Sequence, residues 1–189
     1  EYCLRHHKNE EIFLFSNDRD FAQLLDLNIT IIFPNLPQPI TKTNYMMHFS
    51  HHYSNALTIK IIEGDTADNI KGVGGVKEKK LLDFFPELKY KPVTVREICQ
   101  KAREMNAERV ENKKKPLKAL ENLVNNIDRL KTNFKLISLR QPMLNETAIE
   151  ELEQLELPLS PENRGSKNLY KMMVEDWFLK VYVEENSKK

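Results

Sequence analysis

The chain has 189 residues, 40% hydrophobic and 30% charged with a formal net charge of +1, enough for one domain with a real core. No stretch approaches the roughly eighteen uncharged apolar residues of a membrane helix, and no secretory pattern follows Glu1, so a cytoplasmic protein without membrane contact is expected. Cys3 and Cys99 are far apart and form no CxxC spacing, which argues against a disulfide framework or structural zinc and for free thiols.

The small net charge hides a polarity. Lys71 to Lys118 is rich in Lys and Arg, whereas Asn145 to Glu162 carries glutamates and no basic residue. A basic middle is what a phosphate-backbone partner requires, and it is equally the pattern of a solvated face. The chain opens without an initiator methionine, in a segment (Glu1 to Lys8) that reads as the end of a helix, so it is expected to be a fragment or a processed piece.

In chain order, Ile12 to Ser16 (IFLFS) predicts a short strand buried on both faces of an α/β sheet. Asn17, Asp18 and Arg19 break it, Asp20 to Leu27 carries apolar residues at helical spacing, and Ile29 to Phe33 is a second strand before the Pro34, Pro37 and Pro39 loop. A helix is expected over Asn44 to Glu63, then a Gly-rich stretch at Gly72 to Gly75 and a helix over Val76 to Phe85. Beyond Pro92 the pattern is helical, with Val95 to Val110 and Leu117 to Leu130 separated by Lys113 to Pro116. Phe134 to Leu139 fits a strand or a helical continuation equally. After the Pro158 to Gly165 interruption, Leu169, Met172, Met173 and Trp177 mark one face of a last helix, a stripe typical of core packing.

Two carboxylate pairs stand out. Asp18 and Asp20 lie two apart at a strand end, so an extended backbone would point both to one side, at the carboxyl edge where α/β sheets bind ligands. Asp65 and Asp68, in GDTADN, lie three apart at an expected helix start and share a face. Each close pair would cost on the order of 4 kcal/mol in repulsion at an effective dielectric near 20. A cation must offset that, and oxygen ligands favour Mg²⁺ or Mn²⁺, the pair of ions suited to phosphodiester chemistry. The competing reading is an Asx turn at Asp18 and a helix cap at Asp65. His6-His7 and His51-His52 are expected to be solvent-exposed, since adjacent histidines point to different faces.

Lys71-Gly72-Val73-Gly74-Gly75-Val76-Lys77-Glu78-Lys79-Lys80 sets three glycines before an apolar-periodic helix. Glycines let backbone N–H groups approach a phosphate, and lysines meet a phosphate backbone without reading sequence. The stretch is not a P-loop, because GxxxxGK[ST] is absent.

Taken together, SNDRDFAQLL (Ser16 to Leu25) and IIEGDTADNIKGVGGVKEKKLL (Ile61 to Leu82) resemble the 5'-nuclease family of phage 5'-3' exonucleases, flap endonucleases and the 5'-nuclease domain of bacterial DNA polymerase I. The resemblance implies an α/β fold. Residues 1–62 would be the C-terminal part of a PIN-like nuclease domain with a short parallel sheet, 63–144 a helix-hairpin-helix DNA-binding subdomain, and 145–189 a helical extension. It implies that Asp18, Asp20, Asp65 and Asp68 are catalytic metal ligands in a two-metal Mg²⁺ or Mn²⁺ site. It further implies that Lys71, Gly72, Gly74, Gly75, Lys77, Lys79 and Lys80 hold DNA, with K⁺ bound in the glycine turn. The implied activity is structure-specific 5'-3' exonuclease or flap endonuclease cleavage of DNA bearing a 5' end, flap or RNA primer, beside replication proteins in a bacterial or phage-infected cytoplasm.

Two departures qualify this. Lys77 stands where the family has the last glycine of its turn, and nothing before Glu1 supplies the family's first metal cluster or its arch. A complementary N-terminal half is therefore an expected partner, and the alternative is a DNA-binding module without catalysis of its own.

Overall fold

The computed structural model describes residues 10–25, 27–140 and 145–155. By its contacts the chain divides into a unit of residues 1–142 and a second of residues 143–189.

The first unit begins with β1 (Ile12–Phe15), which pairs in parallel with β2 (Ile29–Ile32) in the register Ile12 with Ile29 through Phe15 with Ile32. Ile31 then exchanges backbone hydrogen bonds with Ile40 at 3.0 and 2.7 Å, widening the sheet by one antiparallel bridge. β1 is not buried on both faces as expected. Ile12 and Leu14 are half-buried while Phe13 and Phe15 are 58% and 71% exposed, because among the described residues only one face of the strand has a layer packed on it. A short apolar run cannot reveal that difference.

Between the strands, the predicted α-helix is a 3-10 turn, Arg19–Leu24. Asp18 starts it by accepting the Asp20 N–H, a local side-chain bond that competes with α-helical pairing. Likewise the helix expected over Asn44 to Glu63 is broken into 3-10 turns at Tyr45–Met47 and Tyr53–Asn55 before α1 (Ala56–Glu63). The cause is tertiary. His52 gives its N–H to Leu88 O, and the fully buried Asn55 amide donates to Leu88 O and Lys91 O while accepting from Val93 N–H.

A two-residue hairpin follows, β3 (Gly64–Asp65) with β4 (Ile70–Lys71), then α2 (Glu78–Phe84) and α3 (Val95–Glu111). Thr94 and Glu97 form a reciprocal capping box at the start of α3. The helix predicted over Leu117 to Leu130 is two, α4 (Lys118–Asn125) and α5 (Ile127–Ile137), parted at Asn126, whose φ of −109° and ψ of 28° leave the helical region. Phe134 to Ile137 thus belongs to a helix. Ile59, Ile62, Leu81, Leu88, Ile98, Leu120 and Leu123 lie in one core shared by the helices, whereas Ala22, Leu25, Ile31, Ile40 and Tyr45 form a smaller core beneath β1 and β2. Cys99 is a buried free thiol.

In the second unit, α6 (Glu146–Leu155) begins where Asn145 Oδ1 accepts the Ala148 N–H at 2.8 Å. The Leu169, Met172, Met173 and Trp177 stripe, Cys3 and His6-His7 lie outside the described residues.

Candidate metal centre and nucleic-acid interface

The hairpin between β3 and β4 is what aims Asp65 and Asp68. These residues do not start a helix, as the sequence suggested. α1 ends on Gly64, at φ +79°, and the backbone turns directly into β3. Asp65 Oδ1 accepts the Ala67 N–H at 2.9 Å, and Asn69 closes the turn in the left-handed region at φ 57°. The hairpin lies so tightly on the end of α1 that a Cβ at Gly72 would come within 2.0 Å of Glu63 O, and one at Gly64 within 2.3 Å of Gly72 N. Gly72 is therefore required for backbone-to-backbone packing, a different role from the phosphate approach expected of it.

Asp20 reaches the same place from the 3-10 turn after β1. One carboxylate oxygen from each of Asp20, Asp65 and Asp68 lies within 4.8 Å of the others. Asp18 does not join them. The chain leaves its extended path at Ser16, whose hydroxyl accepts the Asp18 N–H at 3.0 Å, and the exposed Asp18 carboxylate is spent on the Asp20 N–H at 2.8 Å. Of the two readings open for Asp18, the Asx turn describes the structure.

Lys60, on α1, is the residue that sequence reasoning missed. Its Nζ lies 2.7 Å from Asp20 Oδ1 and 2.6 Å from Asp65 Oδ2, supplying the positive charge that the close carboxylates need. The Lys60 hydrogen bond holds the Asp65 carboxyl below its ordinary value against the opposing effect of burial, with help from the Ala67 N–H. For Lys60, burial pulls the ammonium down, but its bonds to Asp20 and Asp65 carry it above the usual lysine value. The available signal was a single lysine within the apolar run ALTIKII, just ahead of the acidic motif.

A polar cleft of about 150 Å³ opens beside Asp20 and Lys60, lined among others by Arg19, His51, Glu63 and Glu78. His51, expected at the surface, is 6% exposed. It bonds the Tyr45 hydroxyl through Nε2 at 2.8 Å and Glu78 Oε1 through Nδ1 at 2.8 Å, so two polar neighbours satisfy a ring that the sheet side and α2 bury together. Burial, then the nearby Glu78 charge, pushes the Tyr45 hydroxyl well above the ordinary tyrosine value.

In the glycine turn, Val73 and Val76 point into the core while Gly74 and Gly75 are exposed. Gly75 adopts φ +77° with open space where a Cβ would sit, so its need is purely conformational. The turn's carbonyls have side-chain donors, Arg129 Nη1 to Gly72 O at 3.2 Å and Asn122 Nδ2 to Gly74 O at 2.8 Å. Lys71, Lys77, Lys79 and Lys80 are exposed, with Lys77 Nζ 3.4 Å from Glu63 Oε1 and Lys80 Nζ 5.9 Å from the Phe84 ring centre.

The three carboxylate oxygens of Asp20, Asp65 and Asp68 are hard donors at a separation that suits a divalent cation.

No family model matches the chain. It is 37% identical over 82 residues to a 5'-3' exonuclease of Mycoplasmopsis pulmonis, a match covering 41% of this chain and 28% of that protein. It is 31% identical over 77 residues to a 5'-3' exonuclease of Halalkalibacterium halodurans, covering 40% and 25%. The matches thus span about a quarter of the length of these relatives. Among solved structures, T5 5'-exonuclease with bound zinc aligns at a TM-score of 0.60 and 19% identity over 81% of this chain and 55% of that one. A point mutant of T5 5'-exonuclease aligns at 0.55 and 21% identity, covering 72% of this chain and 51% of the other. The fold matches about half of the T5 enzyme, and the similarity to 5'-3' exonucleases agrees with the resemblance carried by the two motifs.

Proposed function

For a chain that is a relative of the 5'-3' exonucleases, we propose that it forms the second carboxylate set and the DNA-holding part of a divalent-metal-dependent 5'-nuclease. Such an enzyme would act on DNA bearing a 5' end, flap or RNA primer during replication or repair. One observation carries the reading: Asp20 and Asp65, 45 positions apart in the sequence, converge on one ammonium group, and an Asp68 carboxylate oxygen lies within 4.8 Å of theirs. The bound divalent ions would supply Lewis-acid stabilisation of the phosphodiester and activation of water.

The chain's own residues do the rest. Asp20, Asp65 and Asp68 hold the cation side of the centre, with Lys60 neutralising Asp20 and Asp65 before it fills. Lys71, Lys77, Lys79 and Lys80 hold the duplex backbone, with Gly74 and Gly75 shaping their turn. Asp18 is assigned to positioning Asp20 through its N–H, and Gly72 to packing. A complete centre of two ions needs further acidic ligands, which a complementary N-terminal segment would supply. K⁺ in the glycine turn has less support, because Arg129 and Asn122 already donate to the Gly72 and Gly74 carbonyls.

The test is Mn²⁺ titration followed by cleavage. Asp65→Asn and Asp68→Asn should each weaken Mn²⁺ binding by this chain and, in the full-length protein, sharply lower Mg²⁺-dependent cleavage of a flapped duplex while sparing DNA binding. Unchanged Mn²⁺ affinity in both variants rejects the site. The second reading, a DNA-binding module without catalysis, would be favoured if the 189-residue chain grips the flapped duplex in Mg²⁺ and yields no products.

A further inference from the structure

A second cleft lies where the acidic hairpin meets α5, whose residues no motif singled out. It is an open depression of about 500 Å³, lined by Asp68, Asn69, Ile70 and Lys71 from the hairpin and by Arg129, Thr132, Asn133 and Leu136 from α5. Its walls are fixed to each other. Asn133, buried at 3% exposure, donates to Ile61 O at 2.9 Å and Lys71 O at 3.0 Å, tying α5 to both α1 and β4. Arg129 adds its bond to Gly72 O.

The cations on these walls are not held in ion pairs among the described residues. Both Lys71 and Arg129 are exposed, and Arg129 uses one guanidinium N–H on a neutral carbonyl. An arginine held in this way keeps the remaining donors of its fork for an anion with two oxygens. Thr132 turns its hydroxyl back to Asp128 O and so does not compete, while Leu136, 63% exposed, offers an apolar wall. Asp68 in the same cleft opposes a bare anion, but a divalent ion on that carboxylate reverses the sign.

We propose that Arg129, from α5, joins Lys71, from β4, in a phosphate clamp for one backbone of the nucleic acid, set beside Asp68. This rests on the proposed nuclease reading and adds a contact surface to it. Lys77, Lys79 and Lys80 of the turn and this clamp would then grip the substrate at two places.

Arg129 also braces Gly72, so the test separates charge from bracing. Arg129→Gln keeps an N–H for Gly72 O and loses the charge, and Arg129→Lys keeps the charge. Binding of the complete chain to a fluorescent flapped duplex is measured by anisotropy across a KCl series with Ca²⁺, beside the double variant Lys79→Ala, Lys80→Ala. The expected result is a severalfold loss of affinity for Arg129→Gln with a salt slope smaller by about 0.9, both restored in Arg129→Lys. Wild-type affinity and slope for Arg129→Gln overturn the clamp. So does loss in Arg129→Lys but not Arg129→Gln, which assigns Arg129 to bracing alone. In both cases, weakened binding by the double lysine variant leaves the underlying reading standing. A wild-type chain that binds no duplex at all removes the reading and the clamp together.

Discussion

Leu88, Ile98, Ala102, Leu120 and Leu123 are wholly sealed from water in the helical core, while the core of the α/β region is a handful of residues under two strands whose Phe13 and Phe15 face outward. The candidate centre draws on both. Asp65, Asp68 and Lys60 belong to the hairpin and to α1, whose backbones are locked by Gly64 and Gly72, whereas Asp20 comes from a six-residue 3-10 turn on the thinner core. The contrast says that one side of the site is set by backbone packing, and the other depends on a few side-chain bonds.

The glycines give the hardest test of that rigid side. Gly72→Ala puts a Cβ against Glu63 backbone atoms that cannot give way, so the loss should be on the order of 4 kcal/mol or more, seen as a fall in the urea midpoint. Gly75→Ala meets only its left-handed φ of +77° and should lose about 1–2 kcal/mol. Gly74→Ala, with no atom nearer than Asn122 Nδ2 at 3.8 Å, should be close to neutral. Equal losses at Gly72 and Gly75 would mean that the hairpin is not pressed on α1 at all.

Next in size is the difference between the cores. Leu120→Ala removes a fully buried side chain and should cost about 2–5 kcal/mol, whereas Leu14→Ala on the half-buried face of β1 should cost about 1 kcal/mol. Comparable losses in chemical denaturation would abolish the distinction. At the seam, Lys60→Ala leaves Asp20 and Asp65 facing one another. With all three side chains partly solvated, about 1 kcal/mol should be lost in EDTA. Mg²⁺ should then raise the Tm of the variant more than that of wild type, and an equal response in both proteins would detach Lys60 from the cation site.

These regions were also unequally legible in the sequence. The two strands in order, α3 and the break near Lys113 follow from local pattern, since apolar period and Pro or Gly punctuation decide them. The two motifs were visible as well, but their backbone was not. Whether GDTADN opens a helix or closes a hairpin depends on Gly64 and Gly72 meeting across eight residues, and Asp18 turned aside because its own carboxylate bonded locally. Asn55, Asn133 and His51 read as ordinary polar residues, yet each is buried because its partners come from distant segments. Lys60 belongs with them: a lysine's partners are set by the fold, and nothing in its neighbours names Asp20, forty positions earlier.

The smallest expected effect concerns the contact that joins the two regions, Tyr45 to His51 to Glu78. The His51 bond holds the Glu78 carboxyl below its ordinary value of 4.5, against the opposing effect of burial. A carboxyl depressed on folding adds stability that is complete above its unfolded value and disappears as pH falls through the folded one. Glu78→Gln keeps an acceptor for the His51 N–H but has no charge to lose. The gap between the urea midpoints of wild type and this variant should therefore be present at neutral pH and should close as pH falls below 4.5. Because Glu78 sits at the start of α2 and Tyr45 on the sheet side, that closing gap measures how far the Glu78 charge fastens the thin core to the thick one. A gap that stays constant with pH would show that packing alone joins them.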